Sequence, residues 1–302
     1  VNCNFINNYA IGDCGCIYIN SYDGPNKITM DVCIFELNAA EQNYGGAYIK
    51  MDDRTTSLDL NECEFITNAV EGQCGALYIQ CESTVASTIS VSSTIFYGNA
   101  AGVDHDTLYL KSTNDKSSIL VYDCTFEYDI AEQKSGEINV DSNGDLQIDK
   151  CEFIENTIII LSPKSDTQKV TFVCLYCIIV NNSKSLTLSK SRFNHQIDAA
   201  IFLKAKEDIT IRDCDYTSQS SNTENPKNDF SAISIEESKG KISVERCNFY
   251  DMKTISIRTN ENTSSISLHD VIIKRRSSFE KQPYHSIECS SQTEFVISKS
   301  KI

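Results

Sequence analysis

The chain has 302 residues with a formal net charge of −15, 14 Cys, no Trp, and only 12 Gly and 4 Pro. Its acidity argues against nucleic acid or an anionic membrane surface as partner and favours solubility, cationic partners or ions. Scarce Gly and Pro leave no flexible linker in view. This length by itself suggests two domains, but a repeat that runs through it makes 1–302 one domain.

The repeat begins at once. Cys3, Phe5 and Asn8 end a phrase that first stands whole from Ile28 to Asn38. It runs aliphatic, polar, aliphatic, two polar residues, Cys, any residue, Phe, two more residues, Asn. The two aliphatics due before Cys3 are missing, so the chain reads as a piece of something longer. The absence of a targeting or membrane-spanning segment then means little. The phrase recurs around Phe35, Phe65, Phe96, Phe126, Phe153, Phe193, Tyr216, Phe249 and Ile273. Seven and five places ahead of each stand large aliphatics, such as Leu58 and Leu60, with a polar residue between them except at Leu120. Period two marks a short strand with one buried face.

The next inward position comes three places later, at Cys33, Cys63, Thr94, Cys124, Cys151, Ser191, Cys214, Cys247 and Val271. The chain therefore bends there and a second strand starts. Three places after the Phe stand Asn38, Asn68, Asn99, Asp129 and Asn156. Asn and Asp tolerate the left-handed conformation of a sharp corner, and identical residues on successive coils can hydrogen-bond in a ladder. A third strand follows, at 15–19, 45–49, 75–79, 106–110 and 136–140.

Three strands with bends between them make one coil of a parallel β-helix. One coil cannot bury its apolar side alone, so coils stack about 4.8 Å apart around a shared core. Right-handed winding is the strong default for such crossovers. The expected fold is all-β, a single right-handed parallel β-helix of ten or eleven coils with three short strands each. Residues 1–140 make longer regular coils, spaced 30, 30, 31 and 30 residues, with loops after the third strand. Residues 141–275 make shorter coils. A further phrase at Val170, Phe172, Leu175 and Cys177 splits the 40-residue step from Phe153 to Phe193, and the register is weakest from Ile178 to Leu186. Residues 276–302, where the phrase is lost, form a terminal coil or cap.

The steps from Phe5 to Asn8, Phe35 to Asn38, Phe65 to Asn68, Phe96 to Asn99 and Phe153 to Asn156 share a Phe-x-x-Asn form. In the first half it is paired, at a spacing of ten residues, with Gly45-Gly46-Ala47 and Gly75-Ala76-Leu77. This pattern resembles the repeats of chlamydial polymorphic outer membrane proteins and of similar protist repeat proteins. The resemblance implies a secreted or surface-exposed, adhesin-like passenger, hence an extracellular or cell-surface location. Only one Gly-Gly-Ala is intact, and no translocating barrel is present. The Asn-, Ser- and Ile-rich composition points to a protist with an AT-rich genome.

Tyr18, Tyr48, Tyr78 and Tyr109 recur on the third strand and are expected to face outward as an aromatic row. Such a row is either a ladder that stabilises the sheet or a platform for sugars or a partner. The ladder is the simpler reading, and the row is the best candidate binding stripe. Cys33 and Cys63 fall on adjacent coils within disulfide range. Thr94, Ser191 and Val271 share their position, so we read buried free thiols at a packing site. Cys174-Leu-Tyr-Cys177 has redox-motif spacing but no second pair for zinc. Asp141 to Asp145 with Glu152 mimics a calcium loop, yet Leu146 stands where that loop turns on Gly. Asp104-His105-Asp106 reads as a solvated turn, and no metal or cofactor is expected. Asn181 and Asn262 head N-glycosylation sequons, relevant to a secreted chain.

An enzyme on this scaffold needs clustered carboxylates. Asp31 and Asp59 are diagonal, Arg212 and Glu245 read as a cross-strand ion pair, and Asp149 stands alone. His105, His195, His269 and His285 are scattered. The expectation is a non-enzymatic structural or adhesin-like protein that recognises a protein or glycan surface along its sheet face. One alternative is a filament subunit that self-associates end to end through exposed coil edges. Another is a carbohydrate-active lyase or hydrolase, although fold alone is no evidence of activity.

Overall fold

The computed structural model describes residues 1–302 apart from 22–25, 53, 104–106, 132–137, 155–156, 159–177, 184, 197–200, 206, 219–230, 237, 239, 251–253, 259–264, 275–286, 291–294 and 302. Among the described residues the regular elements are all strands, and strands of successive coils pair in parallel. The fold is a parallel β-solenoid. The paired aliphatics form one ten-stranded sheet, from Lys27–Asp31 to Phe295–Ser298. The strands around each Phe form a second, from Asn4–Ile6 to Ile272–Lys274. The strands carrying the Tyr row form a third, from Ile17–Ser21 to Ile287–Ser290. A fourth sheet corrects the expectation of three strands per coil. It has six strands of two residues, from Tyr9–Ala10 to Thr157–Ile158, so the coils that carry it have four.

The register follows the phrase. Phe5 pairs with Phe35, Phe35 with Phe65, and the column continues to Phe249 and Ile273. From Phe5 to Phe249 the rings stack inside the solenoid with centroids 4.5 to 5.2 Å apart. Parallel pairing at one strand spacing places identical side chains at the distance that offset stacking favours.

Two sequence expectations are corrected by strand pairing. Leu146 pairs directly with Leu186 and Phe153 with Phe193, so no coil built on Val170 to Cys177 lies between them. Ile178–Ser183 instead extends the Tyr-row sheet beside Ile138–Ser142. The extra length is an insertion within one coil. Residues 159–177, Cys174 and Cys177 included, lie outside the described residues. At the other correction, the register continues past residue 276. Phe295 pairs with Ile266, Ile297 with Leu268, and Lys301 bridges to Ile272. Phe295 and Ile297 thus stand at the two aliphatic positions, and the phrase is not lost there.

The corners also differ from expectation. Left-handed residues stand one place before the Cys position, from Asn2 (φ 55°) through Val32 (φ 54°) and Glu62 (φ 51°) to Lys299 (φ 53°). A second set stands two places after the Phe, at Asn7, Leu37, Thr67, Gly98 and Tyr128. The conserved spacing of Asn therefore marks the residue after the corner, not the corner itself. Corner side chains such as Val32 and Leu37 point to solvent, which is why their chemistry varies. Val32 is poorly suited, because it is β-branched and the left-handed region costs an L-residue about 1–2 kcal/mol. Val32→Asn is expected to raise stability by about 1 kcal/mol, read as a higher urea midpoint. An unchanged or lower midpoint would show that the corner relaxes without strain.

Candidate interaction surface

The regular part of the solenoid is held by two internal columns. One is the Phe stack. The other is an amide ladder, in which Asn8, Asn38, Asn68 and Asn99 each donate from Nδ2 to Oδ1 of the next residue, ending on Asp129, over 2.8 to 3.1 Å. The same oxygens accept the backbone N–H of the previous ladder residue. Each amide from Asn38 onward also donates to the Phe carbonyl of the coil before it, as Asn68 does to Phe35 at 2.9 Å. Asn38, Asn68 and Asn99 are buried, and every lone pair used this way replaces water. Asp129 occupies the last described rung, and burial pushes its carboxyl up to about 7, with the hydrogen bonds from Asn99 pulling the other way.

The Cys column is more selective than a packing site. Cys63 Sγ donates to the Asn61 carbonyl at 3.3 Å, Cys214 to Arg212 at 3.2 Å and Cys247 to Glu245 at 3.3 Å. Thr94 and Ser191 make the same reach to Ser92 and Ser189, at 2.8 and 3.0 Å. The position takes a small hydrogen-bond donor that spans the left-handed corner, and Val271 is the exception. The column cysteines are free thiols, and burial pushes the Cys63 thiol up to about 11. Thiolate is the reactive form. Cys33, Cys63, Cys124, Cys151, Cys214 and Cys247 are therefore expected to resist Ellman's reagent in the native protein and to react fully in denaturant. Rapid native labelling at any of them, located by mass spectrometry, would contradict this.

The Tyr row is a ladder rather than an open platform. Centroids lie 4.9 Å apart from Tyr18 to Tyr48, 5.4 Å from Tyr48 to Tyr78 and 4.5 Å from Tyr78 to Tyr109. Tyr18 is 59% exposed, but Tyr48, Tyr78 and Tyr109 retain only 7%, 9% and 8%. Among the described residues the cover comes from Tyr44, Cys14 and Cys74, in the segments that precede the first three strands of this sheet. Tyr44 packs on Tyr48 and Tyr78 at 4.6 and 4.8 Å, and Cys14 and Cys74 join the same cluster. Burial pushes the Tyr44 hydroxyl up to about 12. Gly45 lets this segment lie close, since a Cβ there would meet the carbonyl oxygens of Gly75 and Ala69 at 2.5 and 2.6 Å. That contact is the physical content of the Gly-Gly-Ala step.

The remaining candidates disperse. Arg212 is in register with Glu245, but the ion pair beside it is Arg246 on Asp213, bidentate at 2.6 and 2.9 Å. That guanidinium holds the Asp213 carboxyl below the usual carboxylate range and occupies both oxygens. Asp149 accepts from Ser189 at 2.9 Å. Among the described residues no group of His, Cys, Asp and Glu is arranged to hold a metal ion. Asn181 lies in a strand opposite Asp141, and Ser183 of its sequon is buried. Asn262 and the Asp104-His105-Asp106 turn lie outside the described residues.

The surface that sequence reasoning missed is the outer face of the Phe sheet. Ile6, Leu37, Ile95 and Tyr97 are large apolar side chains exposed there. They flank or follow the Phe at positions that vary between coils, so no repeat signal marks them. Among the described residues no helix is long and apolar enough to cross a membrane. The fold and its outer faces define the class, a parallel β-solenoid repeat protein. No family model, no curated protein and no solved structure matches the chain.

Proposed function

We propose that this chain is a non-enzymatic, adhesin-like solenoid of an extracellular or cell-surface protein, right-handed and of ten or eleven coils, that presents a rigid face to a partner. The observation that carries the reading is the pair of internal ladders. Stacked Phe rings and bonded Asn amides lock successive coils in register, so outer side chains repeat at a fixed pitch over a long surface. Binding benefits when the presenting surface loses no freedom on association. The likeness of the Phe-x-x-Asn and Gly-Gly-Ala steps to polymorphic outer membrane protein repeats supports the same reading.

Negative-stain electron microscopy of the native protein tests it first. Dispersed short rods are expected, and they should bind in a screen of host-surface proteins and glycans. Long fibres with a subunit repeat near 50 Å, as about ten coils at 4.8 Å would give, would replace this reading with an end-to-end polymer.

A further inference from the structure

The outer face of the Phe sheet changes character along the solenoid. On the coils centred on Phe5 to Phe126 it exposes Ile6, Val32, Leu37, Ile95, Tyr97 and Tyr128, with Leu37 at 51% and Ile6 at 49%. Between them stand Glu36, Glu62, Glu64, Asp123 and Glu127, and the strand and corner positions of these five coils contain no Lys or Arg. Cations enter this face only from Lys150 onward, with Lys190, Arg192 and Arg246. Within the strands the two kinds of residue alternate. Glu64 lies beside Ile34 and Ile95, Glu36 beside Ile66, and Glu127 beside Tyr97. None of these five carboxylates is in an ion pair among the described residues.

Five coils span about 20 Å along the axis. Over that length exposed apolar side chains and carboxylates are interspersed, which makes a mixed apolar and acidic strip. Carboxylates that touch no cation and sit among aliphatic side chains favour a partner that supplies positive charge and apolar cover together. A nucleic acid or an acidic protein would be repelled. The two exposed rings of this face, Tyr97 and Tyr128, meet edge to face at 5.6 Å among aliphatic Ile, Leu and Val, which offers a sugar less to stack on than a flat aromatic platform.

We propose that this checkerboard of exposed apolar side chains and unpaired carboxylates, on the outer Phe sheet of the first five coils, docks a basic amphipathic polypeptide segment. The segment's apolar side chains cover Ile6, Leu37, Ile95 and Tyr97, and its Lys or Arg residues meet Glu36, Glu64 and Glu127. This inference rests on the partner-binding reading and assigns its face and its partner's chemistry.

The probe is a fluorescein-labelled 14-residue Leu/Lys amphipathic peptide, about 21 Å long as a helix. It is titrated with the full chain in an anisotropy assay. Saturable binding is expected, at least tenfold weaker for a Ser/Lys peptide and absent for a Leu/Glu peptide. Ile95→Lys with Tyr97→Lys should weaken it at least tenfold. Glu36→Gln with Glu64→Gln and Glu127→Gln should weaken it and flatten its salt dependence. Ser90→Lys with Thr210→Lys, on the outer side of the aliphatic-strand sheet, should leave it unchanged. Circular dichroism melts establish that each variant folds, and the Gln set keeps the test intact if the Lys pair does not. No saturable binding, or equal loss in the Ser90/Thr210 control, overturns the proposal. Host-surface binding that survives the Ile95/Tyr97 variant would overturn this face alone and leave the wider reading standing.

Discussion

Asn68→Ala is expected to destabilise the solenoid by about 2–6 kcal/mol and to split its unfolding into two steps. The Asn68 side chain accepts from Asn38 N at 3.1 Å and Asn38 Nδ2 at 2.9 Å. It donates to the Phe35 carbonyl at 2.9 Å and to Asn99 Oδ1 at 3.0 Å. Truncation takes the side-chain partner from Asn38 N and the Phe35 carbonyl in a site closed to water, while Asn99 Oδ1 keeps the residue 68 N–H and Asn38 Nδ2 keeps the Phe5 carbonyl. Each buried polar group left without a partner costs about 1–3 kcal/mol. Alanine cannot recover this, since it brings no donor or acceptor. In a solenoid each coil is coupled only to its neighbours, so a weak joint at the third coil should let the coils on either side unfold separately. Urea titration followed by circular dichroism reads both effects. A single transition within 1 kcal/mol of the parent would mean that the Phe stack alone holds the coils in register.

Asp129→Asn is expected to stabilise the protein at pH 8 by about 4 kcal/mol and to do little at pH 4. Asp129 stands where its neighbours in the ladder carry Asn. The ladder amide nitrogen donates to a Phe carbonyl in the coils before it, and an ionised carboxyl has no hydrogen to give. Burial raises its folded value to about 7 from an ordinary 3.8. Below about pH 4 the folded and unfolded chains both hold this proton, and the group carries no penalty. Between about pH 4 and 7 the unfolded chain releases the proton while the folded chain keeps it. Stability then falls by about 1.4 kcal/mol per pH unit, and above pH 7 the loss is constant. The other titrating groups are common to both proteins, so the difference in urea stability between parent and Asp129→Asn at pH 4, 6 and 8 isolates this one. A difference that does not grow with pH would place the Asp129 carboxyl in a solvated environment.

Much of the fold was legible because solenoid coils repeat their physical constraints. An inward strand face must be aliphatic with period two, so Leu58 and Leu60, or Ile209 and Ile211, announce their strand without help from the rest of the chain. The Phe column and the donor column of Cys, Thr and Ser are legible for the same reason. Asn68 and its equivalents were legible as a recurring residue but not in their geometry. Corner propensity pointed to a left-handed Asn, whereas the corner falls on the residue before, and the amide turns inward.

What the sequence determined by itself is therefore the all-β solenoid and the identity of its inward columns, since both follow from side chains that repeat along the chain. Only the tertiary structure decided which phrase belongs to a coil. Val170 to Cys177 fits the pattern, yet hydrogen bonding joins Phe153 directly to Phe193. It also decided which outward residues meet solvent. The Tyr row faces away from the core by parity, but Tyr44 and Cys74 fold over it. Ile95 and Glu64, 31 residues apart, become neighbours only when coils stack. Contacts across coils are made between residues about thirty apart, and no local pattern encodes what a surface residue will find beside it.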